Sequence, residues 1–261
     1  MLVLLSPAKD LNFAAHDVEL QHSQPELLRE TKSLASAAKK LKKGDIKRLM
    51  KVNDALAELT FQRFQNFKPP FSKENAKQAV LAFAGDAYRG LDAATLSADD
   101  LEWAQDHLRI LSGFYGLLRP LDLIQPYRLE MGRAFKNERG KNLYEFWGET
   151  LTQSVNRALK KSGDATIVNL ASKEYFSALS PDALKGDVIT PHFKEVRDGT
   201  ARPFQFFVKR ARGLMTRFII ENRVDDPRQL KDFKAEGYKF TPKLSTDRDW
   251  VFTRPAPPKK N

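Results

Sequence analysis

Between Leu111 and Gly132 the chain reads LSGFYGLLRPLDLIQPYRLEMG, and this run excludes more architectures than any other. Pro120 and Pro126 each remove a backbone donor and fix φ, and each pushes its predecessor toward extended backbone. Arg119 and Gln125 are therefore expected in non-helical backbone, and one helix through the stretch is ruled out. With the apolar Ile110 and Leu111 before a Gly-aromatic-Gly turn at Gly113 to Gly116, the run reads as a strand end, a turn and a short ordered connector. That connector carries Arg119, Asp122, Tyr127, Arg128 and Glu130. It is either a buried crossover whose charges pair with each other, or a binding surface whose arginines offer planar donor forks to phosphate or carboxylate.

The rest of the chain supplies the elements such a connector must join. Leu2 to Leu5 is a continuous apolar run stopped by Ser6-Pro7, as in a strand buried on both faces. Ala79 to Ala84, Arg109 to Ser112 and Ala165 to Leu170 read as further buried strands. Ser97 begins a capped helix with Asp99 and Asp100 in its first turn, and Tyr144 to Leu159 is another helix. Strand, helix, strand is the unit of a parallel sheet, so the loops after Leu5, Ala84, Leu111 and Leu170 are expected along one edge with converging polar residues. Asp187 to Arg197 reads as a strand turned at Asp198-Gly199, and Arg202 to Arg223 as a basic helix whose Gly213 is tolerated at a cost. A last helix near Pro227 to Glu236 and strands at Tyr238 to Thr241 and Trp250 to Thr253 complete the reading. The fold class is mixed α/β: one compact domain over residues 1–253, a central mixed sheet flanked by helices, and a disordered Pro- and Lys-rich tail over 254–261.

Charge narrows the partner. The 261 residues hold 44 Lys plus Arg against 33 Asp plus Glu, a net +11, which favours an anionic partner over a cationic one. There is no cysteine, so a catalytic thiol, a thiol redox sensor and an iron–sulfur cluster are excluded together. The histidines, His16, His22, His107 and His192, lack the spacing of a helical metal site and read as surface or packing residues, so no metal and no cofactor is expected. No apolar run approaches the roughly 20 residues that span a bilayer, and the N-terminus has no basic leader, so a cytoplasmic protein without membrane contact is expected.

Five separated motifs carry a resemblance. SPAKDL (Ser6 to Leu11), FAGDAYRGL (Phe83 to Leu91), the Leu111 to Gly132 run, NLASKEY (Asn169 to Tyr175) and KRARG (Lys209 to Gly213) stand in the order found in the bacterial YaaA family of peroxide stress resistance proteins, which the chain resembles over nearly its whole length. The resemblance implies DNA binding and a role in the response to hydrogen peroxide, limiting iron-driven oxidative damage. It also implies a helix-hairpin-helix element. The segment from Gln24 to Phe67 suits it: a helix ending at Lys42-Lys43-Gly44, a second capped by Asp45, a third capped by Asn53 or Asp54. Lys42, Lys43, Gly44, Lys47 and Arg48 would then contact phosphates. LSGFYG at Leu111 to Gly116 is the competing location, and an ordinary helical pair with a solvated basic turn is the alternative to both.

The favoured function is a DNA-binding protein whose basic cleft is edged by Lys9, Arg89, Arg119, Arg128, Lys173, Lys194, Lys209, Arg210 and Arg212, with Tyr115, Tyr127 or Tyr175 stacking on unpaired bases. A monomer acting on duplex or partly unpaired DNA is expected. No phosphate loop, dinucleotide fingerprint or nucleophile elbow is present, which speaks against an enzyme. The alternative is an enzyme acting on a nucleotide or other anionic substrate, with Lys173, Glu174 and Glu130 as acid/base candidates. Iron sequestration by Asp86, Asp122 and Glu130 is a third reading.

Overall fold

Every residue of strand β1 (Leu2–Leu5) is buried, which a strand achieves only with structure on both faces and both edges. In the computed structural model, which describes residues 1–15, 20–163 and 165–257, β1 is an inner strand of a mixed sheet of eight strands. Strand β5 (Leu108–Ser112) pairs parallel with one edge of β1 and β8 (Thr166–Leu170) parallel with the other. Beyond β8 come β9 (Asp187–Arg197) and β12 (Asp249–Pro255), both parallel to their inner neighbours. Antiparallel strands finish the sheet: β6 (Gly116–Leu118) on β5, β11 (Lys239–Phe240) on β12, and β10 (Thr200–Arg202) turned back on β9. Two small ribbons lie outside it, β2 (Asp10–Leu11) with β4 (Phe83–Ala84), and β3 (Lys77–Gln78) with β7 (Leu123–Ile124).

The helices are α1 (Leu28–Lys39), α2 (Lys43–Met50), α3 (Asp54–Asn66), α4 (Ala79–Ala82), α5 (Asp86–Leu91), α6 (Ala98–His107), α7 (Leu143–Trp147), α8 (Thr150–Ser162), α9 (Lys173–Phe176) and α10 (Gln205–Glu221). Ser97 caps α6 as its sequence demands, with the Asp100 carboxylate returning a bond to the Ser97 N–H. The helix expected over Tyr144 to Leu159 breaks into α7 and α8 at Gly148, whose φ of +46° suits glycine. Pro227 to Glu236 forms short 3₁₀ turns rather than a helix.

Three other expectations are corrected. Ala79 to Ala84 is not a strand of the sheet: a turn of helix precedes the two residues of β4, and an apolar run buried on all sides carries no periodicity to tell the two apart. Gly44 ends no helix and makes no hairpin, because it lies in the first turn of α2, where the Lys42 N–H donates to the Asp45 carboxylate at 3.0 Å. The tight turn of this region is Lys51 to Asn53, between α2 and α3. Finally, β12 runs on to Pro255, so Arg254, which from the sequence began a frayed tail, is a buried core residue.

The Leu111 to Gly132 run takes the first of its two readings, a buried crossover. Phe114, Tyr115, Leu118, Leu123 and Ile124 have essentially no exposed surface. The Tyr115 hydroxyl accepts from the Gln125 N–H at 2.8 Å and donates to the Gln125 carbonyl at 3.1 Å, closing the segment on itself. Arg119 bonds Asp122 at 2.9 Å and the Gln24 carbonyl at 3.0 Å.

Gly90 of α5 and Gly213 of α10 let these two helices touch. A Cβ on Gly213 would stand 1.7 Å from the Ala87 carbonyl oxygen, and one on Gly90 2.3 Å from that of Arg210. Both obstacles are backbone, so neither can swing aside. The glycine of the basic helix is a packing requirement, and it locks Arg89 beside Lys209 and Arg212.

Candidate anion-binding cleft

The sheet grows to one side of β1 with β5 and to the other with β8, so the chain reverses its direction of winding between β1 and β8. Crevices form outside the carboxyl ends of the strands at such a reversal. Here Ser6 follows β1 and Ser172 follows β8, and the Ser172 N–H donates to Ser6 Oγ at 2.8 Å. The Tyr88 hydroxyl of α5 donates to the Ser6 carbonyl at 3.0 Å. Around these groups opens a cavity of about 310 Å³, floored by Leu5 and Leu170 and walled by Lys9, Asp86, Arg89, Tyr175 and α10. Ser172, Glu174, Gln205, Lys209 and Arg212 also line a second space of about 470 Å³ between β9 and α10, so the two adjoin along these residues, and the cleft comprises both.

Six basic side chains line it, Lys9, Arg89, Lys173, Lys194, Lys209 and Arg212, against three acids, Asp10, Asp86 and Glu174. Asp86 is taken by Arg89 at 3.0 Å, and Lys9 lies 3.5 Å from Glu130. Among the described residues, Lys173, Lys194, Lys209 and Arg212 have no carboxylate partner. Arg212 is the most exacting of these. Its Nε is buried without a hydrogen-bond acceptor, and burial pulls its guanidinium below the ordinary arginine value. The residue as a whole is half-buried, and an anion in the cleft would give its guanidinium the acceptor it lacks.

Behind Lys9, Glu130 is held at 2.8 Å by Arg133 and at 3.6 Å by Arg128. Burial works against ionisation of Glu130, but Arg133 and then Arg128 outweigh it and hold the carboxyl below the usual carboxylate range. Burial also raises Tyr88 and Tyr175 well above the ordinary phenol value, so both are neutral hydroxyls at the cleft wall.

A family model described as peroxide stress protein YaaA matches residues 1–244. The chain belongs to the YaaA family. Relatives described as UPF0246 proteins are similar along their whole length: 52% identical over 257 residues in Caulobacter vibrioides, covering 98% of this chain and all of the relative, 49% over 257 residues with the same coverage in Cellvibrio japonicus, and 50% over 256 residues, again with that coverage, in Shewanella oneidensis.

In this YaaA chain the structure divides the residues singled out from sequence. Lys9, Arg89, Lys173, Lys194, Lys209 and Arg212 meet at the cleft. Arg119, Arg128 and Arg210 do not: the first is engaged by Asp122, the second sits over Glu130, and Arg210 turns away to Glu236 at 2.5 Å. The α2 cations are neutralised one by one, Lys43 by Glu58, Lys47 by Asp54 at 2.7 Å and Arg48 by Asp45 at 2.5 Å, and neither they nor Lys42 and Gly44 line the cleft. The competing hairpin at Leu111 to Gly116 is sealed in the core.

Tyr115 and Tyr127 are 0% and 5% exposed inside an aromatic cluster with Phe67, Phe71 and Phe114, and offer no ring face to a base. Tyr175 is nearly as buried, at 8% exposed, although it lines the cleft. Of the acid/base candidates Lys173, Glu174 and Glu130, Lys173 and Glu174 line the cleft, Glu174 Oε1 accepts from the Gly132 N–H at 2.9 Å and Glu130 accepts from Arg133 at 2.8 Å. Asp86, Asp122 and Glu130 are each occupied by an arginine, and among the described residues no cluster of His, Cys, Asp or Glu is placed to hold a metal. His22 is exposed, His107 stacks on Trp103 and His192 meets Asp249 at 2.7 Å, while His16 lies outside the described residues. None of the described helices is long and apolar enough to cross a membrane. Gln205 and the Ser6–Ser172 link were not singled out from sequence; the position of Ser6 directly after a doubly buried strand was the available signal.

Proposed function

We propose that this YaaA family member binds the phosphate backbone of DNA in the cleft between β9, α9 and α10, and through that binding limits iron-driven oxidative damage during hydrogen peroxide stress. One observation carries the reading: Lys173, Lys194, Lys209 and Arg212, brought from three separate elements, share a cleft, and among the described residues none of them is in ion-pair contact with a carboxylate, although Glu174 lines the same space. Like charges gathered in this way repel unless an anion joins them, and a polyphosphate satisfies several at once. With no cysteine to consume peroxide, protection by occupying the threatened DNA fits the chemistry available.

Binding is tested by gel retardation and anisotropy across a salt series. Four phosphate contacts on duplex give a log–log salt slope of about −3.6. Failure to retard duplex, bubble or single-stranded DNA at low salt ends this reading.

A second reading has its own support. The closed end of the cleft, about 310 Å³ at the reversal point of a parallel sheet, has the size and place of a small-ligand site. An enzyme acting on a nucleotide would use the same cations as its anion clamp. Thermal stabilisation by a nucleoside monophosphate at moderate salt, with turnover, favours it over DNA binding.

A further inference from the structure

Helix α10 starts at the rim of the cleft, and the residues there are aromatic and exposed. Phe206 keeps 54% of its surface accessible and Phe204 40%, while no other phenylalanine of the described residues is among the exposed large apolar side chains. Pro203 and Gln205, which alternate with these two, line the cleft, and Lys209 stands one turn further along α10. Phe206 meets Phe207 edge to face with ring centres 5.3 Å apart, and the Arg197 guanidinium lies 6.0 Å from the centre of the Phe204 ring. Both rings are thus held in place with surface left open.

Two open rings beside unpaired cations match the requirement for holding a single strand: the cations track phosphates and each base lays its π-face on a ring. A stable protein interface needs roughly 1,000 Å² or more, which two rings do not supply. Resting on the DNA-binding reading above, we propose that Phe204 and Phe206 are the stacking platform for unpaired bases of a strand whose phosphates occupy the cleft. The partner is then partly melted or single-stranded nucleic acid in preference to intact duplex.

The test compares a short oligothymidylate with a blunt duplex by fluorescence anisotropy at low salt. Phe204→Ala/Phe206→Ala weakens oligothymidylate binding about tenfold and leaves duplex binding within about twofold. Phe206→Trp retains the affinity, and its emission is quenched by the oligothymidylate but not by the duplex. Equal losses on both ligands, or no loss on either while the wild type binds, overturn the inference and leave DNA binding standing. A shift of the double variant to a smaller species on size exclusion assigns the rings to self-association and overturns it as well. If the wild type binds no nucleic acid, the DNA-binding reading fails first and this inference with it.

Discussion

The backbone N–H of Ser172 reaches the hydroxyl of Ser6 at 2.8 Å across 166 residues of sequence, tying the ends of β8 and β1 together at the floor of the cleft. Replacing Ser6 by Ala strands that donor in a partly buried place. A loss of about 1–2 kcal/mol in urea unfolding follows, with weaker binding in the cleft, since Lys173 is carried on the segment that Ser172 begins.

Gly213→Ala drives a Cβ into the Ala87 carbonyl and forces α5 and α10 apart. Overpacking of this kind costs about 1–3 kcal/mol, and a melting temperature lower by roughly 3–10 °C is expected by calorimetry. Gly44→Ala is the contrasting change: in the first turn of α2 its Cβ meets only the flexible end of Arg48, so stability rises by up to about 1 kcal/mol. A fall instead would return Gly44 to the hairpin role read from the sequence.

Lys209→Ala and Lys47→Ala separate free from neutralised cations. The first reduces the salt slope of DNA binding by about 1 and the affinity at every sequence alike; the second, already paired with Asp54, changes neither. Equal effects at both positions would show that bulk charge, not the cleft, drives association.

Glu130 sets a pH dependence. Its folded value lies below the ordinary 4.5, so the folded state binds this proton less readily than the unfolded chain. The stabilisation is full above the unfolded value and is lost as pH falls through the lowered folded value. Glu130→Gln abolishes that part of the acid limb, and it costs stability at neutral pH because Arg133 and Arg128 lose their counter-ion. Chemical denaturation from pH 3 to 7 shows the difference as a flatter curve.

Arg254 bonds Glu195 at 3.2 Å and Glu236 at 2.9 Å, and Glu195 has no exposed surface. Arg254→Ala leaves that carboxylate buried with the Tyr238 hydroxyl alone, and a loss of about 3–5 kcal/mol is expected in equilibrium unfolding. An effect below about 1 kcal/mol would mean that the end of β12 contributes little to the core.

The sheet was legible in the sequence where one rule sufficed. The unbroken apolar run of β1 admits one reading, and β9 was marked by its turn at Asp198-Gly199. The alternate burial of β9 at Ile189, Pro191, Phe193 and Glu195 emerges only in the fold, since a proline and a glutamate occupy two of the inward positions. Ala79 to Ala84 failed because complete burial erases the period that separates helix from strand. The site was half legible. Motif order brought out Lys9, Lys173 and Lys209, but neighbours in sequence part company on a helix: Lys209 faces the cleft and Arg210, about 100° around α10, faces Glu236. Tyr115 and Tyr127 stood in the most constrained stretch of the chain, and what constrained them was packing.

At each end the sheet stops in a stub, three residues of β6 on one side and two of β11 on the other. Such short borders expose few free amides to a stray strand, so sheet-to-sheet joining between molecules finds little purchase. A chain of this kind can be crowded along a long polyanion without its sheets fusing.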